Sequence, residues 1–136
     1  MPPMLPALEF LRSSPAWAGD GDFDIAYLRE VLALLGNPQE NYPSIHVSGT
    51  NGKGSVSVYC AAIMAASGKR VGLTVSPHLC DERERIVIDG RPISLELFES
   101  SLEQVQQACA ESSRVLSYFE VIIAAAFVAF SKARWK

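Results

Sequence analysis

The chain has little cysteine, no long apolar run and no surplus of basic charge. Its three cysteines, Cys60, Cys80 and Cys109, are odd in number and far apart, which excludes a disulfide framework or a metal knuckle. They read as the reduced thiols of a cytoplasmic protein. The most hydrophobic stretch runs only from Val121 to Phe130, far short of the roughly 20 residues that span a bilayer. It reads as a buried helix, and no membrane partner is expected. The opening Met1-Pro2-Pro3-Met4-Leu5-Pro6 lacks the basic region and apolar stretch of a signal peptide. Lys and Arg number 12 against 15 Asp and Glu, giving a formal net charge of -3, and the basic residues are scattered singly. That pattern excludes a broad nucleic-acid face, so any anion must be bound locally.

What is present fits one globular domain. The sequence is 49% hydrophobic and 20% charged over 136 residues, and a chain of this size buries roughly 68–70% of its unfolded surface. From Phe23 the pattern is helical, with Asp24 as cap, Phe23 stapled onto Leu28, and Ile25, Leu28, Leu32 and Leu35 on one face. Gly36-Asn37-Pro38 stops it. Residues 44–48, Ser-Ile-His-Val-Ser, are short, apolar and β-branched enough for a buried strand. A glycine loop follows, and then Val56, Tyr59, Cys60, Ile63 and Ser67 keep helical spacing up to Gly68. Residues 71–75 read as a second buried strand. Strand, helix, strand predicts a parallel βαβ unit and an α/β fold. Residues 85–88 and the pair Asp89-Gly90 predict a hairpin closing toward Ile93. Two helices follow, one from Ser94 with Leu95, Phe98, Leu102, Val105 and Cys109 on a face, and one from Ser117 that is apolar nearly all round.

The chemistry lies in Gly49-Thr50-Asn51-Gly52-Lys53-Gly54-Ser55. Against the common phosphate-loop pattern it departs twice, with Val47 in place of the first glycine and Gly54 in place of the final hydroxyl residue. The physical elements remain: a strand, glycines that let backbone N–H groups approach an anion, a lysine, and a helix start with its partial positive charge. A glycine-rich strand-to-helix connector is the plain alternative. Asn51 and Lys53 favour phosphate, because a connector has no use for an unpaired lysine there. Ser76 in Ser76-Pro77-His78-Leu79 ends the second strand, on the side of the loop if the sheet is parallel. Its hydroxyl suits Mg²⁺, which prefers oxygen, although a Ser-Pro turn accounts for the same residues. His46 and His78 are not assigned to a metal. Ser117-Tyr118-Phe119-Glu120 has capping-box spacing, which suffices structurally, and its two rings can also form a wall for an aromatic ligand.

Together these residues resemble the dihydrofolate synthase and folylpolyglutamate synthase family of the Mur ligases. The resemblance runs from about Leu8 to the end and rests on residues 47–55, on Ser76-Pro77-His78-Leu79 with Glu84-Arg85-Ile86, and on Ser117-Tyr118-Phe119-Glu120. It implies an ATP-dependent ligase that adds L-glutamate to dihydropteroate or a folate through an acyl phosphate. Thr50, Asn51, Gly52, Lys53, Gly54 and Ser55 are then expected to hold ATP, with Lys53 catalytic. Ser76 is expected to bind Mg²⁺, and Asp24, Ile25, Ala26, Tyr27, Ser117, Tyr118, Phe119 and Glu120 to bind the folate substrate. The implied fold is a three-layer α/β domain with a phosphate loop and a parallel sheet. Residues 1–136 are expected to be the N-terminal part of its ATP-binding central domain, without the C-terminal ligase domain, and inactive alone. A monomer is expected at full length. A noncatalytic nucleotide-binding module and a peptidoglycan-type ligase remain the alternatives.

Overall fold

The structure is a computed structural model that describes residues 5–16, 25–76 and 80–133. Pro6 opens α1 (Pro6–Ser13), where its fixed φ and missing N–H suit the first turn. Ala7 and Leu11, four residues apart, are fully buried. The local pattern of residues 6–13 predicts no helix here. α2 (Ala26–Leu34) buries Val31 and Leu32. It stops as expected: the Gly36 N–H donates to the Ala33 carbonyl at 3.1 Å and the Asn37 N–H to that of Leu32 at 2.8 Å. Pro38 then starts a 3₁₀ turn, Pro38–Glu40. Phe23 and Asp24, expected as staple and cap, lie outside the described residues.

α3 (Lys53–Ala66) carries the glycine loop on its N-terminus and closes at Gly68, with Lys69 N–H donating to Met64 O at 3.3 Å. β1 (Gly72–Thr74) pairs antiparallel with β2 (Ile86–Ile88), Leu73 opposite Val87. A 3₁₀ turn, Glu82–Arg85, precedes β2. β2 pairs in turn with β3 (Arg91–Pro92) through Asp89 and Gly90, whose φ of 51° and 80° make the predicted hairpin turn. The Ile93 N–H closes onto the Ile86 carbonyl at 2.8 Å.

The core belongs to the last two helices. In α4 (Leu95–Ser112) Phe98, Leu102, Val105 and Cys109 are buried as their spacing predicts, whereas Leu95, at the first helical position, is exposed. α5 (Tyr118–Lys132) buries Val121, Ile122, Ala124, Ala125, Ala126, Val128, Ala129 and Phe130. Each fully buried branched or aromatic side chain contributes roughly 1.5–3 kcal/mol. α1 and α2 pack on these helices, and β1 rests against α5. Contact there is close, since a Cβ on Gly72 would stand 2.6 Å from the Phe130 ring. No helix among the described residues is long and apolar enough to cross a membrane.

Two expectations need correction. Residues 44–48 form no strand: they make no backbone hydrogen bond among the described residues, and Ile45 is 69% exposed. The sheet that the described residues do form is antiparallel throughout, so it contains no parallel βαβ unit. The cause lies in pairing. Composition marks a segment as fit for a strand, but a strand forms only beside a neighbour. The 89–90 turn supplies β2 and β3 with one, and the chain's return through 81–85 supplies β1; no described strand pairs with 44–48. α3 touches β1 but is thinly covered, with no residue fully buried and Tyr59 and Ile63 at 68% and 71% exposure.

Candidate functional site

The glycine loop reaches α3 through two residues of positive φ, Gly49 at 153° and Gly52 at 76°. A side chain at Gly52 would be strained there, and glycine leaves the backbone open to a ligand. α4 and α5 have their first turns closed by the hydroxyls of Ser94 and Ser117, whereas α3 has no side-chain cap. Its first backbone bond runs from Val56 N–H to Gly52 O at 2.9 Å. The amides of Lys53, Gly54 and Ser55 therefore have no carbonyl within the helix, and they point along its positive end. Thr50, Asn51, Lys53, Gly54 and Ser55 are all exposed around this opening. The Lys53 ammonium folds back and donates to the Gly49 carbonyl at 3.3 Å, so one cation already lies over the loop.

Ser76 follows β1 and is exposed, and its hydroxyl makes no hydrogen bond among the described residues. Pro77, His78 and Leu79 lie outside them. The expected placement of Ser76 beside the loop rested on a parallel sheet, and the antiparallel pairing of β1 removes that support. No hydrogen bond joins the loop, Ser76 and the Ser117–Glu120 segment to one another among the described residues.

The predicted capping box is present. Ser117 Oγ accepts from the Glu120 N–H at 3.3 Å, and a Glu120 carboxylate oxygen accepts from the Ser117 N–H at 2.8 Å. Both polar side chains are thereby engaged in the helix start, which leaves the rings of Tyr118 and Phe119 as the segment's remaining candidate contacts. Phe119 is exposed. Tyr118 is half-buried: its N–H donates to the Pro15 carbonyl at 2.8 Å, and the Arg85 guanidinium carbon lies 5.4 Å from its ring centroid. Beside it Arg12 and Glu82 form a two-pronged pair at 2.9 and 3.3 Å, across 70 residues of sequence. Burial, and then the Glu82 charge, push the Tyr118 phenol up from its ordinary range, while Arg85 and Arg12 oppose them. Arg12 and Arg85 were not assigned a role from sequence, because only the fold brings them to this ring. The sequence signal at Arg85 was Glu84-Arg85-Ile86, one of the segments that carry the family resemblance.

Of the second expected substrate segment, Asp24 lies outside the described residues, while Ile25, Ala26 and Tyr27 stand at the start of α2. The Tyr27 ring carries the Arg114 guanidinium 4.3 Å from its centroid, and Arg114 is held by Glu30 at 2.8 and 3.2 Å. One face of Tyr27 is thus covered from within the chain.

No protein-family model matches the sequence. Over 123 residues it is 42% identical to the dihydrofolate synthase/folylpolyglutamate synthase of Mycobacterium tuberculosis, covering 82% of this chain and 25% of that one. It is 38% identical over 125 residues to the folylpolyglutamate synthase of Lacticaseibacillus casei, covering 85% and 28%. The chain belongs to this family. Among solved structures of family members, the M. tuberculosis folylpolyglutamate synthase complexed with ADP matches with a TM-score of 0.81 at 36% identity, over 94% of this chain and 29% of that one. A folylpolyglutamate synthase complexed with AMPPCP and folate matches with a TM-score of 0.81 at 35% identity, over 91% and 31%. The chain spans about a quarter of the length of the curated family members it matches.

Proposed function

We propose that this chain carries the nucleotide-binding segment of an ATP-dependent ligase that joins L-glutamate to dihydropteroate or a folate. The observation that carries the reading is the open N-terminus of α3, with Gly49 and Gly52 at positive φ, no side-chain cap, and Lys53 exposed beside three unengaged amides. The ADP, AMPPCP and folate in the structures of similar proteins support it. On binding, Lys53 exchanges the Gly49 carbonyl for phosphate oxygens, and the amides of residues 53–55 donate to the same anion. Three or four charge-assisted hydrogen bonds are worth on the order of 5–10 kcal/mol gross.

The chemistry divides into two transfers. The substrate carboxylate takes the γ-phosphoryl group, ADP leaves, and the glutamate amine then attacks the acyl phosphate, forming the amide and releasing phosphate. The protein's part is to hold the reactants in line and to place positive charge where the phosphoryl group carries negative charge. Tyr118 and Phe119 form the flat wall for the pterin ring, with Tyr27 as a second aromatic contact. Ser76 would hold Mg²⁺: its hydroxyl oxygen is exposed and makes no hydrogen bond among the described residues, and oxygen is the donor type this ion prefers. No group of three or more His, Cys, Asp or Glu that could hold a metal ion occurs among the described residues. When bound, the ion neutralises charge on the phosphates.

Lys53→Ala in the full-length protein should abolish ATP-dependent glutamate addition and leave the circular dichroism spectrum unchanged. Normal turnover in that variant removes the phosphate role. Equilibrium dialysis of this chain with ATP and with pteroate separates the ligase reading from a noncatalytic nucleotide-binding module, which binds the nucleotide alone.

A further inference from the structure

We propose that Arg85 is a positioning residue that couples the segment ending in Ser76 to the aromatic wall at Tyr118, so that the two sides of the site move together. Arg85 reaches both by different parts of itself. Its backbone carbonyl accepts from the N–H of Val75, the residue before Ser76, at 3.2 Å. Its guanidinium lies over the Tyr118 ring at 5.4 Å from the centroid. A cation on an aromatic face holds the ring by its quadrupole, more strongly as the pair is withdrawn from water, and the Tyr118 ring is half-buried.

The turn that presents Arg85 is braced at each of its other residues. Glu82 pairs with Arg12 of α1 at 2.9 Å, and Arg83 pairs with Asp81 at 3.1 Å. The Glu84 carboxylate accepts from the Cys80 N–H at 3.3 Å. Asp81 also caps the turn, accepting from the Arg83 N–H at 2.8 Å. These bonds fix the turn to α1 on one side and to Cys80 and Asp81 on the other. Pro15, at the far end of α1, accepts from the Tyr118 N–H, which closes the ring of contacts. A displacement of Tyr118 is therefore transmitted to Val75 and Ser76 through one side chain, although Tyr118 makes no hydrogen bond with either.

Amide resonances of this chain test the coupling without any ligand. Tyr118→Leu should move the Val75 and Ser76 amides, and the same substitution in an Arg85→Met background should leave them where Arg85→Met alone puts them. Unmoved amides in the first case, or equal movement in both backgrounds, overturn the proposal. The consequence for ligand rests on the folate-facing reading of Tyr118 and has its own readout. Arg85→Met should weaken folate binding about tenfold and leave ADP binding within about twofold, with Arg85→Lys recovering part of the loss. Equal folate affinity in Arg85→Met and wild type contradicts the positioning role. If the unmutated chain binds no folate while the amides respond as predicted, the folate reading fails and the coupling stands.

Discussion

α5 and α3 are close in length, at 15 and 14 residues, and both are largely apolar, yet α5 buries eight residues and α3 buries none. Their N-termini differ in the same sense. α5 is closed by a reciprocal capping box, so its donors serve the helix itself. α3 is left open behind two glycines of positive φ. Between Gly54 and Gly68 there is no charged side chain, so α3 has the composition of a covered helix, yet among the described residues only β1 packs on it and none of its residues is fully buried. A lone helix of this length is marginal in water, and most helical stability comes from packing. The comparison separates a part of the chain that carries its stability from a part whose helix start is left open.

The sharpest break of that comparison is to remove equal kinds of side chain from both helical regions. Leu102 on α4 is fully buried beneath α5, and Leu102→Ala should cost about 2–5 kcal/mol in urea unfolding. Ile63→Ala on α3 should stay within about 0.5 kcal/mol of wild type. Similar losses at both sites would mean that α3 is packed in solution. A smaller contrast comes from glycine. Gly72→Ala drives a methyl group into the buried Phe130 ring and should cost about 1–3 kcal/mol. Gly54 has open space around its Cβ position and no positive φ, so Gly54→Ala should leave the midpoint unchanged or slightly raised.

Thiol chemistry sharpens the comparison with no change of fold. Burial, and then the Glu120 charge, push the Cys109 thiol up to about 11, whereas Cys80 is exposed and Cys60 partly so. Iodoacetamide at pH 8 should label Cys80 first, Cys60 next and Cys109 only on unfolding. Because the folded thiol is the weaker acid, this group's contribution to stability is complete below the free-thiol range. It is lost as pH rises toward 11. Labelling of native Cys109 as fast as Cys80 would show that the α4–α5 core opens.

Legibility in the sequence follows how local each interaction is. The capping box at Ser117, the Asp89-Gly90 turn, the stops at Gly36 and Gly68, and the buried face of α4 depend on short-range spacing, and the structure agrees with each except at Leu95. α1 was missed because Ala7 and Leu11 leave a short apolar stripe among prolines, and its burial depends on α4 and α5. Residues 44–48 have strand composition but no strand beside them, and composition cannot reveal a missing neighbour. The loop at 49–55 was legible because glycine spacing and Lys53 encode it directly. The Arg85–Tyr118 and Arg12–Glu82 contacts were not, since they join residues 33 and 70 positions apart.

The phosphate cradle is tested most directly by titrating ADP into this chain and following its backbone amide resonances. The amides of Gly49 through Ser55 should shift together and saturate, and Lys53→Ala should weaken that response at least about tenfold, the value of one charge-assisted bond. Amides in this loop that stay in place at saturating ADP, or respond equally in Lys53→Ala, would contradict it.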